Sequence, residues 1–288
     1  ADTWTTAMWP DGSVKWLGVA CVTGSMATMQ RPVVDANTIT IDNGKLKLYV
    51  ARHGRNLIDS LIMDGKKICD GAHLVATTTN ATYASVVDSA VVERAGSSRA
   101  LIKICGTMSD GSRRWLPFTL RLYAYAANEQ LRMVHSFIYD GDQDKDFISS
   151  LGLTFDVPLR KEAYNRHVMF AMDGGKMWHE PVQPLDGRSP LDRNYNWQER
   201  QQAGFEIPAA NTFDERQQTF LSEWASWDGF RLSQLNDGSF TIRKKAQADR
   251  PWIGTFTGHR SNGLAFVGDT EGGLALSLKD FWQQYPST

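Results

Sequence analysis

Apolar residues recur at every second position over long stretches of this chain, and the runs end in glycine-containing turns. A period of two sends alternate side chains to opposite faces of an extended strand, so the pattern demands sheets with one buried face. Residues 38–50 show it most clearly. Ile39 and Ile41 alternate with polar residues, Asn43-Gly44 supplies a tight turn, and Leu46, Leu48 and Val50 resume the apolar face. Asn-Gly between alternating runs is the strongest short-range hairpin signal. Asp64-Gly65 repeats the device between 60–63 and 66–69, and 86–93 pairs with 100–107 across Ala95-Gly96-Ser97-Ser98. Residues 118–125 and 130–139 follow around a turn at Asn128, with further strands expected near 148–157, 167–172, 230–235, 240–244, 263–267 and 274–278. Many antiparallel strands with short turns predict a mainly β fold of stacked sheets, a sandwich.

One helix is expected, over 212–226, where Phe213, Phe220, Leu221 and Trp224 share roughly one face. Residues 173–210 show little alternation and read as a long loop holding Trp178, His179, Arg188, Arg193, Tyr195 and Trp197; such loops concentrate function. Residues 24–36 read as a linker.

The totals exclude several classes. A formal charge of -1 leaves no basic stripe for nucleic acid and no polybasic membrane patch. No apolar run is long enough for a spanning helix. The three cysteines, Cys21, Cys69 and Cys105, form no CxxC pair and are expected as buried free thiols. Neither GxSxG nor a P-loop pattern occurs. Histidines are scattered without HExxH spacing, so no metal site and no cofactor is expected. The acidic stretch 140–146 lacks EF-hand spacing and reads as a solvated turn, although it leaves a calcium role open.

The residues that remain suit a sugar. Ten tryptophans are available, and the C–H faces of a pyranose stack on aromatic rings. Most tryptophans belong to a core; Trp178 and Trp197 stand among polar loop residues and are the expected sugar platforms. His135 lies in an alternating run and reads as a satisfied core histidine, whereas His167 reads equally as structural or active. His179 sits in Trp178-His179-Glu180, and His259 in Gly258-His259-Arg260, where glycine lets backbone approach a ligand; an ordinary exposed turn is the competing reading. Arg188, Arg193 and Arg260 can fork onto a carboxylate.

Beyond these single residues, whole phrases are recognisable. Met8-Trp9-Pro10-Asp11-Gly12-Ser13-Val14-Lys15-Trp16-Leu17 near the start and Asp280-Phe281-Trp282-Gln283-Gln284-Tyr285-Pro286 near the end flank Val134-His135-Ser136-Phe137-Ile138-Tyr139-Asp140-Gly141-Asp142, Glu180-Pro181-Val182-Gln183-Pro184-Leu185 and Ile242-Arg243-Lys244-Lys245. In this order they resemble the exo-rhamnogalacturonan lyase (YetA-like) family of pectin-degrading proteins. The resemblance implies a galactose-mutarotase-like super-sandwich of large antiparallel sheets over residues 31–288. It also implies the end of an N-terminal β domain over 1–30 and a helical domain expected as a partner but missing from this chain. The implied activity is β-elimination in the galacturonosyl–rhamnose backbone of rhamnogalacturonan, so the expected partner is a pectic poly- or oligosaccharide rather than nucleic acid or membrane. Pectin breakdown favours a secreted or periplasmic place, with cytoplasmic processing of imported oligosaccharides as the alternative.

The resemblance does not designate catalytic residues; residue chemistry assigns His259 or His179 as base, Tyr195 as acid, and Arg260 with Arg188 as carboxylate clamps. Arg193, Trp178, Trp197 and Glu180 complete the expected substrate contacts. Two other readings stand beside this one: a non-catalytic carbohydrate-binding or scaffold domain, and a mutarotase-like epimerase, which would need a His and a Glu facing each other.

Overall fold

A computed structural model describes residues 29–185 and 196–288. Arg188, Arg193, Tyr195 and Cys21 lie outside the described residues, as do the early Met8–Leu17 phrase and the start of the expected linker.

The first eleven strands form one antiparallel sheet: β1 Val33–Val34, β2 Thr38–Asp42, β3 Leu46–Ala51, β4 Ile58–Met63, β5 Lys66–Cys69, β6 Ala72–Thr78, β7 Thr82–Ala95, β8 Arg99–Ser109, β9 Arg114–Tyr125, β10 Leu131–Phe137 and β11 Ile148–Phe155. The expected turns are present. Asp64 and Gly65 both have positive φ (49° and 75°), which a two-residue type I′ turn demands at both central positions. Gly44 takes φ 89° between β2 and β3.

Ile39, Ile41, Leu48 and Val50 from β2–β3 and Ile102, Ile104, Leu120 and Leu122 from β8–β9 are buried in one cluster, although β4, β6 and β7 separate these strands along the hydrogen-bonded path. The sheet therefore curls until it faces itself and supplies both layers of its own core. Asn43 fastens the closure. Its side-chain NH2 donates to the Tyr125 and Asn128 carbonyls at 2.8 and 2.7 Å, and its Oδ1 accepts from the Lys45 and Leu46 amides. The Ala127 amide donates to the Asn43 carbonyl at 2.7 Å. With every side-chain bond satisfied and the residue buried, Asn43→Ala is expected to cost about 2 kcal/mol, the penalty of orphaned buried partners. Asn43→Asp should cost more, because it turns a carboxylate oxygen toward two carbonyl oxygens; urea denaturation of both variants checks the order.

Two smaller sheets follow. One runs β13–β12–β17–β18 (Met177–Pro181, Arg166–Ala171, Leu264–Asp269, Gly272–Ser277) and the other β14–β15–β16 (Gly229–Asn236, Ser239–Lys245, Ile253–Gly258). Val168 and Phe170 of the first pack on Leu232, Phe240 and Ile242 of the second, with Phe281 closing the same core. The pair is a second sandwich. Asp269 ties it to the segment leaving the large sheet by accepting the Arg160, Lys161 and Glu271 amides, and Lys66 of β5 forms an ion pair with Glu271.

The helix lies within its expected range but is shorter: α2 spans Glu215–Glu223, begun by an Asp214–Gln217 capping box and ended where Trp224 turns extended. A second helix, α1 (Trp197–Gln202), packs with Leu185, Ile207 and Leu221 in a small third cluster. Residues 173–210 are thus not simply a loop: they contain β13 and α1. Trp178 and Glu180 on one face of β13 and His179 on the other are all partly buried, which blurs the polar alternation that marks a half-exposed strand.

Cys69 is a buried free thiol, as expected, but Cys105 is only half-buried, since it points to the outer side of β8. His135 departs from its expected state: its buried Nε2 has no hydrogen-bond partner among the described residues, and burial keeps the ring's pKa below the usual value. The acidic stretch 140–146 is more than a solvated turn. Asp146 takes a two-pronged ion pair from Arg113 (2.7 Å each) and Asp140 accepts the Leu116 amide, so these carboxylates brace a corner against Trp115.

Candidate functional site

The expected site residues divide along β13. Alternation places Trp178 and Glu180 on one face and His179 on the other. Trp178 stacks on Phe170 with centroids 5.8 Å apart and leans on Phe230 at 5.9 Å, so its ring packs in the second core instead of standing open as a sugar platform. Glu180 forms an ion pair with Lys244, and both side chains are only 16% exposed. The Lys244 ammonium also lies 3.9 Å from the Trp227 ring centre. Glu180 is therefore occupied in holding the two sheets together. Glu180→Ala is expected to destabilise by about 2–3 kcal/mol, because it strands a mostly buried ammonium, and Glu180→Gln by less; chemical unfolding measures both.

On the opposite face, His179 Nε2 stands 2.8 Å from His167 Nδ1, and the two rings are stacked at 5.0 Å. Burial lowers both pKa values; the neighbouring His179 adds to the effect on His167, which is pushed down to about 4, while Asp269 opposes it. His179 is half-buried, with its Nε2 engaged by His167. Trp197 opens α1, half-buried and edge-on to Phe213 at 5.8 Å.

His259 and Arg260 occupy a different kind of place. They follow β16 and are held by backbone, which leaves their side chains presented. Asp173, just before β13, accepts the His259 amide at 2.7 Å and the Arg260 amide at 2.8 Å through its two oxygens. The preceding residue must be glycine, since a Cβ on Gly258 would meet Phe240 at 2.4 Å and the Asp173 carboxylate at 2.9 Å. Gln234 Nε2 donates to the His259 carbonyl at 3.1 Å. The His259 imidazole is exposed and makes no hydrogen bond among the described residues.

Arg260 lies 4.1 Å over the Trp282 ring and donates through Nε to the Asp237 carbonyl at 2.8 Å. These two contacts fix the plane of the guanidinium and leave its terminal nitrogens without an ion-pair partner among the described residues, so the fork is aimed but unfilled. Trp282 reaches this position because Gly263, at φ 70°, lets Phe281 pack directly onto it. Asp173 and Trp282 are the supporting residues that sequence reasoning missed. The flanking glycines marked the corner, and the Asp280-Phe281-Trp282 phrase contained its brace without showing what it braced.

Among the described residues no group of three or more His, Cys, Asp or Glu stands together as a metal cluster, and no helix is long and apolar enough to cross a membrane. Comparison with known proteins gives two domain matches. Residues 33–288 match the PcRGLX-like protein central beta sandwich domain, and residues 1–36 match the PcRGLX-like N-terminal RIFT barrel domain. The chain is also 31% identical to the uncharacterized protein YetA of Bacillus subtilis (strain 168), over 98% of this chain. It spans 36% of that relative's length.

Proposed function

The chain belongs to the PcRGLX-like family, and from that premise we propose that it is the sandwich portion of a polysaccharide lyase that cleaves the galacturonosyl–rhamnose backbone of rhamnogalacturonan by β-elimination. The observation that carries the reading is the unfilled Arg260 fork held beside an exposed histidine. In the reaction a base removes the proton at C5 of the galacturonosyl residue, beside its carboxylate. The electron pair forms the C4–C5 double bond, the C4–O bond to rhamnose breaks, and the departing oxygen takes up a proton. The C5 proton is weakly acidic until the charge developing on the carboxylate is stabilised, which is the work of a guanidinium fork.

Arg260 is assigned the carboxylate and His259 the C5 proton; the engagement of His179 Nε2 by His167 and the exposure of His259 favour His259 among the two histidines. Arg188 and Arg193 are proposed as further carboxylate contacts and Tyr195 as the proton donor to the leaving oxygen. The test is full-length protein mixed with rhamnogalacturonan, with and without calcium, followed by absorbance of the 4,5-unsaturated uronate. A rise supports the assignment. Binding without any rise would replace it with a non-catalytic carbohydrate-binding role.

A further inference from the structure

The outer face of the β14–β15–β16 sheet carries a second arrangement of arginines that the elimination chemistry does not use. Leu232, Phe240 and Ile242 point into the core, so Arg231 and Arg243 point outward, and the strand register sets them directly opposite each other. Like charges facing across an antiparallel pair destabilise it. Proteins ordinarily relieve such a pair with a carboxylate, yet neither guanidinium forms an ion pair among the described residues, and both are exposed. Lys245 adds a third cation to this face; its ammonium donates to the Ala248 carbonyl at 3.4 Å, and its one ion-pair partner among the described residues is Asp228, at 3.8 Å.

Two of the three cations, Arg231 and Lys245, are also held in place. Trp252 sits over Gly229, with Arg231 4.3 Å and Lys245 5.3 Å from its ring. In the third strand the position paired with Arg243 is Gly254, and a Cβ there would have nothing within 4 Å. The row Arg231–Arg243–Gly254 is therefore a guanidinium braced on Trp252 and a second, exposed guanidinium beside an open floor.

We propose that this row is a binding subsite for a carboxylate-bearing sugar, with the carboxylate bridging Arg231 and Arg243 and the ring lying over Gly254. That the sugar is a uronate of the pectic polymer rests on the function proposed above; the carboxylate chemistry does not. At about 3.3 Å per residue along β16, Gly254 lies roughly 16 Å from His259. The subsite would thus grip the chain at a uronate distant from the one undergoing elimination.

The experiment uses full-length protein and calorimetric titration with trigalacturonate and with the same trisaccharide after reduction of its carboxyl groups to neutral alcohols. Arg231→Gln, Arg243→Gln and the double variant are compared with Arg260→Ala. The double variant is expected to lose about tenfold or more in affinity for the acidic trisaccharide, the worth of a lost charge-assisted fork, with no change toward the neutral one. Without ligand at low salt its melting temperature should equal or exceed that of the parent, since a repulsion has been removed; this also reports that it folds. Parental affinity for trigalacturonate in the double variant, or no binding by the parent protein, overturns the subsite. An equal loss toward both trisaccharides overturns it as well. Active lyase with an unaffected double variant refutes the subsite alone, whereas arginine-dependent binding without unsaturated product refutes the lyase reading alone.

Discussion

Arg260→Ala in the full-length protein is expected to lower kcat/KM on rhamnogalacturonan by about 10²–10³, the usual cost of removing one donor aimed at developing charge. Arg260→Lys should recover only part of this, because an ammonium restores charge without the planar two-point fork. Trp282→Ala supplies the second measurement. The tryptophan does not reach substrate in this assignment; it limits the freedom of Arg260 from 4.1 Å away, so its loss should cost less than the arginine itself. Adding guanidinium ion to the assay should restore activity to Arg260→Ala and leave Trp282→Ala unchanged. An Arg260→Ala variant that folds and keeps parental kcat/KM removes Arg260 from the site.

The second large effect concerns pH and stability. His167 titrates at about 4 in the folded protein against 6.5 ordinarily, so between these values the unfolded chain binds the proton that the folded chain refuses. Stability then rises with pH across this window and is lost as pH falls from about 6.5 to about 4, with roughly 3 kcal/mol at stake for His167 alone. A proton on either ring sets a charge inside the stack and gives it a donor where His167 Nε2 has no acceptor among the described residues. His73 and His135 are shifted in the same direction and steepen the slope. The carboxylates with lowered pKa act below this window; Asp146 titrates at about 2, held down first by its Arg113 bonds. Urea unfolding from pH 4 to pH 8 measures the slope, and His167→Leu should flatten it. An unchanged slope in that variant excludes the pair as its source.

The parts of the fold that were legible in the sequence are those that local chemistry decides. Asn43-Gly44 and Asp64-Gly65 announce their turns because few other pairs tolerate the backbone angles. The alternation over 100–107 and 118–125 survives because one face of β8 and β9 meets the core and the other meets solvent. β13 was hidden for the opposite reason. With Trp178 packed against Phe170 and His179 against His167, both its faces are partly covered and its three central side chains are polar-tipped, so neither period nor composition betrays a strand. The curl of the large sheet is a long-range property, visible only once β2–β3 and β8–β9 share a core. At the candidate site His259 and Arg260 could be picked out by their glycine neighbours. Their fixation by Asp173 and Trp282 depends on contacts between segments remote in sequence, which no spacing rule encodes.

The Asn43 clasp also governs how the molecule ages. Asn-Gly is the pair most prone to spontaneous deamidation, because a glycine amide can swing onto the preceding side-chain carbonyl and close a succinimide ring. That attack needs a mobile backbone and a free side chain. In the folded state both ends of the Asn43 amide are engaged and the residue is buried, so the reaction must wait for local opening. Once it occurs, the new carboxylate faces the Tyr125 and Asn128 carbonyls, and the closure cannot re-form as before. Storage lifetime is thus set by how often the turn-to-turn clasp opens, and deamidation at Asn43, followed by peptide mass spectrometry, becomes a slow clock that counts those openings.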